Sequence, residues 1–438
     1  MKKTIILFFI SQFLIIGQQT PGNVQFESML IENAIIHIGD GSIIKKGYVG
    51  FNDGKINYVG ETKPENNYDK SINTNGAHLY PGLIALNSTL GLAEIDAVRA
   101  TRDYDEIGPF LPHISSSIAY NAESKVVESM RMNGVLITQT TPRGGVISGK
   151  SSIMQLDAWN WEDALIFKNV GIHLNWPSPY TYKRVSSGKR TIEKNKNYNK
   201  KVKEIKDFFK SSKSYLPNPK PINIEYEAMR NLFNGNEIVF LHANSSKQIQ
   251  DGINFLSSLK INKIVLVGGI YSYKQIDLLI KNKIPVVLKH PHNLPSFTDE
   301  DPKLRFRNAK KLIDSGLLVS IDVSGSMERM NSRNLPFYAG SFAAYGVEKE
   351  NALSMITFNA AKILGINKDY GSIKVGKSAT FFISKGDALD MRSNILDYAF
   401  IDGREISLES HQTKLWKRYL QKVRNIKKEL KAKSLEQD

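Results

Sequence analysis

The 438-residue sequence contains no cysteine. That absence excludes disulfide bonds, thiol nucleophiles and any cysteine-bound metal centre. An apolar run of the roughly 20 residues needed for a membrane-spanning helix is missing too. The nearest approach is residues 4–17, interrupted only by Thr4, Ser11 and Gln12. It follows Lys2 and Lys3 and gives way to polar Gln18-Gln19-Thr20-Pro21-Gly22. This pattern predicts a cleaved signal peptide over residues 1–19 and a periplasmic or secreted mature protein without an integral span. A chain without thiols also suits an oxidising compartment.

Acidic residues are outnumbered, 43 Asp+Glu against 59 Lys+Arg, for a formal net charge of +16. The excess is local. Residues 183–220 hold 13 basic and 3 acidic residues, and residues 411–438 hold 9 and 3. Those two segments account for the whole excess. Lysines outnumber arginines 44 to 15, a bias of composition that demands no nucleic-acid partner. In the second segment Leu415, Tyr419, Val423, Ile426 and Leu430 recur at helical spacing. That predicts a basic amphipathic C-terminal helix over 408–438, packed on the body of the protein rather than on lipid. At 41% hydrophobic residues the chain is not disordered.

Short alternating or β-branched runs occupy residues 29–37, 43–51, 55–59 and 77–80, with hairpin signals at Gly39-Asp40-Gly41 and Asp53-Gly54. From residue 81 the rhythm changes. Apolar strand-like runs at 82–86, 135–140, 171–174, 237–242, 263–268, 285–289 and 317–322 alternate with helix-period segments at 124–132, 191–211, 247–259, 273–281, 304–315, 337–345 and 350–364. Such alternation predicts parallel β/α structure, and a (β/α)8 TIM-like barrel of roughly 250 residues fits. Residues 370–406 return to short strands. The expected α/β organisation is a barrel over 81–365 and a small composite β-sandwich domain built from both chain ends, 23–80 with 366–407.

Four blocks carry a family resemblance. Leu30-Ile31-Glu32-Asn33-Ala34 with Ile38-Gly39-Asp40-Gly41 resembles the opening strand pair of amidohydrolase-superfamily proteins, of the imidazolonepropionase-like and prolidase-like branch. Leu79-Tyr80-Pro81-Gly82-Leu83-Ile84 resembles that family's entry into the first barrel strand. Residues 352–365 resemble its closing helix, and residues 371–380 its return to the small β-domain. The resemblance implies a hydrolase acting on non-peptide carbon–nitrogen bonds of a small polar or cyclic amide, with a divalent metal such as zinc in the barrel mouth.

The metal motif is where this sequence departs. The family pattern after Pro-Gly-Leu-Ile is Asp-x-His-x-His. Here the run is Ala85-Leu86-Asn87-Ser88-Thr89, so Asn87 and Thr89 stand where two imidazoles belong. Neither is a good transition-metal ligand. No bridging lysine is identifiable between residues 130 and 235. His242 matches the family's strand-five histidine, Val267-Gly268-Gly269 lacks the strand-six one, and Asp322, or Ser324 beside it, matches the strand-eight catalytic carboxylate. His290-Pro291-His292 is a local His-x-His that can chelate or simply form a loop. No cofactor is therefore assigned, and His242, His290 and His292 are the remaining candidates for one divalent ion. Without a metal, His242 is expected to be a hydrogen-bonded barrel-mouth histidine.

Polar clusters follow the strands, on the side where barrels place their active sites. Glu94, Arg99 and Arg102 lie in a loop dense in both charge signs, which either lines the mouth or pairs with itself. Arg143 belongs to a Gly- and Ser-rich stretch, 141–152, expected to be an anion-holding loop. Its Gly-x4-Gly-Lys-Ser letters are an accidental P-loop match, because no helix pattern follows. Asp157 and Trp159 combine acid and aromatic groups that suit a sugar-like or cationic ligand, with buried packing of the tryptophans as the alternative. Arg329 and Asn331 follow the last strand. Two functions stay open: a hydrolase with a reduced metal centre, using Asp322 as proton shuttle and His242 to polarise an oxygen, or a catalytically inactive barrel that binds a small ligand or a protein. A glycosidase using Glu94, Glu162 and Asp157 is a weaker third idea. A homodimer is compatible with all of these.

Overall fold

The computed structural model describes residues 20–184, 190–216, 220–296, 299–325 and 327–435. The expected export segment, residues 1–19, lies outside the described residues. Five strands open the chain: β1 (Met29–His37), β2 (Ile43–Asn52), β3 (Lys55–Gly60), β4 (Lys70–Asn73) and β5 (His78–Pro81). Then come β6 (Leu83–Ser88), β7 (Val135–Thr140), β8 (Ile147–Gln155), β9 (Leu165–Asn175), a hairpin β10 (Tyr180–Arg184) with β11 (Arg190–Lys194), and β12 (Ile238–Ala243), β13 (Ile264–Gly268), β14 (Val286–Lys289) and β15 (Val319–Asp322). The chain closes with β16 (Phe381–Ser384), β17 (Leu396–Ile401) and β18 (Arg404–Glu405).

Strands from both chain ends join in one sheet, ordered β18-β17-β16-β5-β1-β2-β3, with β4 also on β1. The expected sandwich is thus a single sheet that branches at β1. Its parallel β1–β5 and antiparallel β5–β16 pairings are what stitch the two ends together. Ile31, Ile36, Val49, Phe51, Phe381 and Phe400 fill its core, with Phe51 edge-on to Phe381 and Phe400.

Eight strands close into a barrel in the order β12-β13-β14-β15-β6-β7-β8-β9. Seven coincide with the apolar runs expected from the sequence. The eighth, β8, lies in the stretch read as an anion-holding loop. It is buried at all nine positions and runs antiparallel to both β7 and β9. The barrel is therefore not the all-parallel one expected. Ser, Gly and Lys in this segment disguise a strand whose Ile147, Ile153 and Met154 carry the apolar burial. Strand alternation sends one set of side chains inward. Ile84, Leu86, Ile137, Ile153, Phe240, Val265, Val267 and Val287 fill the interior, and helix Phe358–Leu364 adds Ala360, Ala361 and Ile363 to the same cluster.

The helices follow the expected periods in the main, with short unexpected ones at Trp161–Ala164, Ile224–Ala228 and Arg230–Phe233 and with further differences. The segment read as a helix over 191–211 begins with β11, and its helix is Tyr198–Lys213. Residues 350–364 form two helices, Lys349–Ser354 and Phe358–Leu364. Helix His411–Leu435 exists as expected but meets the body only near its first turn, at helix Lys125–Arg131, instead of packing along its length. Leu415, Trp416, Tyr419 and Ile426 are all exposed.

Candidate functional site

Each parallel barrel strand delivers its last inward residue to the mouth. Period two carries the inward set from Ile137 to Gln139 on β7, from Phe240 to His242 on β12, from Val287 to Lys289 on β14, and to Asp322 on β15. His173 sits beside Phe240 in register on β9 and stacks on its ring at 4.6 Å between centroids. A polar layer thus covers an apolar barrel core.

Asn87 is the hub of this layer. Its backbone is left-handed at φ 55°, a conformation asparagine tolerates better than most residues. Its N–H donates to Gln139 Oε1 at 3.1 Å, and its Nδ2 donates to Asp322 Oδ1 at 2.9 Å. Arg143 donates to Asn87 Oδ1 at 2.9 Å and to the Asn87 carbonyl at 2.8 Å, and pairs with Glu328 Oε1 at 3.0 Å. Asp322 is enclosed by donors. Oδ1 also accepts from the Ser324 N–H at 2.8 Å, while Oδ2 accepts from Ser324 Oγ at 2.9 Å and faces Lys289 Nζ at 3.5 Å. Lys289 donates to Ser324 Oγ at 2.7 Å and also to the Ser324 carbonyl. Burial alone would raise the pKa of Asp322. The Lys289 ammonium and the hydrogen bonds from Ser324 and Asn87 outweigh it and hold the carboxyl below the usual carboxylate range.

Burial holds the histidines of the mouth below their ordinary pKa. His173 Nδ1 and His242 Nε2 share a hydrogen bond of 2.8 Å. Burial, reinforced by the charge of Arg143, brings His242 down to about 3. Burial and the two neighbours His242 and Arg143 push His173 well below the ordinary value. The buried Nε2 of His173 has no partner. His290 comes down to about 4, chiefly by burial and then by the Lys289 charge.

These groups do not fit a divalent metal ion. Asn87 replaces one expected ligand and is committed to Arg143 and Asp322. Thr89 replaces the other. His290 and His292 do not converge: one ring stacks on Tyr338 at 13° and the other meets it edge-on at 88°. His292 Nε2 is taken by Ser341 Oγ at 2.8 Å. Among the described residues, no three His, Asp or Glu side chains form a group that could hold an ion.

The remaining sequence candidates separate. Asp322, His242 and Arg143 come together. Arg329 is buried beside them in sequence from Glu328 but faces the 94–106 loop, pairing with Asp96 at 2.7 Å. Asn331 ends the same helical turn, Glu328–Asn331. Glu94 accepts from Asn121 at 3.4 Å, Arg99 is exposed on a short turn, and Arg102 bridges back to Ala93. Asp157 and Trp159 stand at the other end of the barrel, because β8 runs downward from the mouth. Trp159 is exposed there, and Asp157 holds Arg131 and Arg404. Lys150 points to the outer layer, bonded to Glu237 Oε1 at 2.7 Å. A cavity of about 660 Å³ also lies at the far end, lined by strand starts including Ile238, Ile264 and Leu318. Sequence reasoning missed Lys289, Gln139 and His173. Counting by twos from Ile137 and Val287 along their strands would have found Gln139 and Lys289; His173 emerges only from the pairing of β9 with β12.

A closed barrel capped by a polar layer, with a sheet made from both chain ends, is a mixed α/β arrangement shared with known hydrolases. The amidohydrolase family model matches residues 166–406, and a model of the BsNagA composite domain matches residues 28–76, within the branched sheet. The chain belongs to the amidohydrolase family. It is similar to an imidazolonepropionase of Flavobacterium psychrophilum, 25% identical over 169 residues, which is 34% of this chain and 41% of that protein. The match thus spans about two fifths of that relative's length. An amidohydrolase from Thermotoga maritima has the same fold, with a TM-score of 0.73 and 22% identity over 86% of this chain and 99% of that one. A prolidase complexed with N-methylphosphonate-L-proline aligns with a TM-score of 0.53 and 13% identity, over 87% of this chain and 99% of its own.

Proposed function

We propose that the barrel mouth is a metal-free site that binds a small polar or cyclic amide without hydrolysing it by a metal-activated water. The observation that carries this reading is the enclosure of Asp322 by donors and a cation. A carboxylate offers about four acceptor positions. Asn87 Nδ2, Ser324 N–H and Ser324 Oγ take three of them, and the Lys289 ammonium stands 3.5 Å from Oδ2 on the remaining side, so a water has little access to be deprotonated. A carboxylate held at low pKa is also a weak base. Arg143 and Lys289 supply the positive charge a metal would otherwise bring, and both suit a ligand carbonyl or carboxylate. The test is metal analysis of the purified protein joined to thermal shifts with a panel of cyclic amides and N-acyl amino acids. Expected are no stoichiometric metal, stabilisation by a panel member, and loss of that shift in Lys289→Met. Chelator-sensitive cleavage of a panel member, abolished by His242→Ala, would overturn the reading.

A second reading, hydrolysis of a non-peptide carbon–nitrogen bond without metal, is favoured by Ser324. Its Oγ stands between Lys289 Nζ and Asp322 Oδ2. Attack of Oγ on an amide carbonyl would form an ester and break the C–N bond, with the hydroxyl proton passing to Asp322 and on to the leaving amine; water then cleaves the ester. Chelator-resistant turnover lost in Ser324→Ala would establish it. The export reading belongs here as well: it rests on the Lys2-Lys3 and apolar 4–17 pattern, and the mass of the mature chain tests it.

A further inference from the structure

Helix His411–Leu435 is rooted and then free. Its first turn is held by reciprocal bonds between Ser410 and Thr413 and by His411 N–H donating to Glu128 Oε1 at 2.6 Å. Beyond that root it leaves the body. Trp416 is 59% exposed and Tyr419 64%. At 100° per residue, Leu415, Trp416, Tyr419, Leu420, Val423 and Ile426 fall within an arc of about 140°. The same stretch, residues 411–428, carries seven lysines and arginines and no acidic residue. Among the described residues only Lys417 of the seven has an ion-pair partner, Glu409.

We propose that this helix docks the protein on an anionic phospholipid surface, lying in the interface with its apolar stripe toward the acyl chains. The charge pattern decides between occupants. A second copy docked on the stripe would bring two sets of seven cations together. A nucleic acid would neutralise the cations and leave six apolar side chains in water. An anionic bilayer satisfies both faces at once, and tryptophan and tyrosine are the aromatic residues favoured at that depth. Among the described residues no helix is long and apolar enough to cross a membrane, so the helix lies on the surface.

The test is sedimentation of the purified full chain with vesicles of phosphatidylglycerol and phosphatidylcholine at one to three, against pure phosphatidylcholine. Binding is expected only to the anionic vesicles and is expected to weaken with salt. Trp416→Ser with Ile426→Ser should weaken it by at least about tenfold. Lys422→Gln, Arg424→Gln and Lys428→Gln together should weaken it by about a hundredfold. All five positions are on the free helix, so thermal midpoints should match the parent and a lost interaction is not a lost fold. Absence of binding to anionic vesicles at low salt overturns the proposal. So does equal binding by the variants, a dimer in light scattering that Trp416→Ser with Ile426→Ser dissociates, or tighter binding to duplex DNA than to the vesicles.

Discussion

Replacing Asp157 by asparagine removes an anion that two arginines share. Arg131 is 1% exposed and Asp157 0%, and the second arginine, Arg404, comes from β18. Asp157 Oδ2 also accepts from the Gly22 N–H at 2.7 Å, and its carbonyl accepts from Arg404 at 2.9 Å. One side chain therefore ties the N-terminal segment and the branched sheet to the barrel. Burial lowers the pKa of Arg131, and Asp157 is the largest force opposing that. Breaking a buried pair on one side costs about 3–5 kcal/mol, because the other charge stays in a low dielectric. Asparagine keeps one acceptor for Gly22 or an arginine, so the low end, about 3 kcal/mol, applies. With an unfolding entropy of about 2.1 cal/mol/K per residue over roughly 400 ordered residues, the thermal midpoint should fall by about 3–4 °C. Calorimetry measures this directly, with Glu162→Gln, an exposed carboxylate nearby, as a control that should move by under about 0.5 °C. A midpoint for Asp157→Asn within about 1 °C of the parent would refute the argument. Loss of ligand binding at unchanged midpoint would refute it differently, by returning Asp157 to a ligand site.

Acid should unfold this protein through its neutral histidines. In the unfolded chain a histidine takes up a proton as the pH falls through about 6.5, whereas native His290 and His242 wait until about 4 and about 3. The unfolded state then binds more protons, so stability is complete above pH 7 and is lost by about 1.4 kcal/mol per pH unit per histidine between 6.5 and 4. Asp322, with its lowered pKa, adds its loss only below that window. Urea midpoints across this range should slope less steeply in His242→Gln; an unchanged slope would contradict the assignment. Arg143→Ala leaves both oxygens of Asn87 and one of Glu328 without their donor and should cost about 2–3 kcal/mol in the same assay. Gly340→Ala should reverse the usual helix preference. In helix Leu335–Ala344 alanine is normally worth about 1 kcal/mol over glycine, but here its Cβ would stand 2.2 Å from the Leu389 carbonyl oxygen. A lower midpoint is expected, and a higher one would mean that the 386–392 loop yields.

Much of this architecture is written in local pattern. Runs such as Ile264–Gly268 and Val319–Asp322 are apolar, short and bounded by turn signals, so they read as buried strands without knowledge of their neighbours. The strand β8 escaped because its sequence, ISGKSSIMQ, has little apolar content and owes its burial to partners on both sides. The C-terminal helix shows the opposite limit. Its amphipathic period is plain, but a period cannot say what covers the stripe, and nothing among the described residues does.

The sequence by itself determined the family, the missing imidazoles at Asn87 and Thr89, and the strand ends that would face the mouth. These are properties of residue identity and of period two, which survive without coordinates. Only the tertiary structure decided which polar groups meet. Lys289, Asp322 and Asn87 lie on three different strands, and it is barrel closure that brings the β14, β15 and β6 ends together, as an ion pair between the first two and a hydrogen bond between the last two. The same closure, with β8 reversed, carries Asp157 away from the mouth to hold two arginines. Direction of travel along a strand is a pairing decision, made between segments distant in the chain, and no window of sequence contains it.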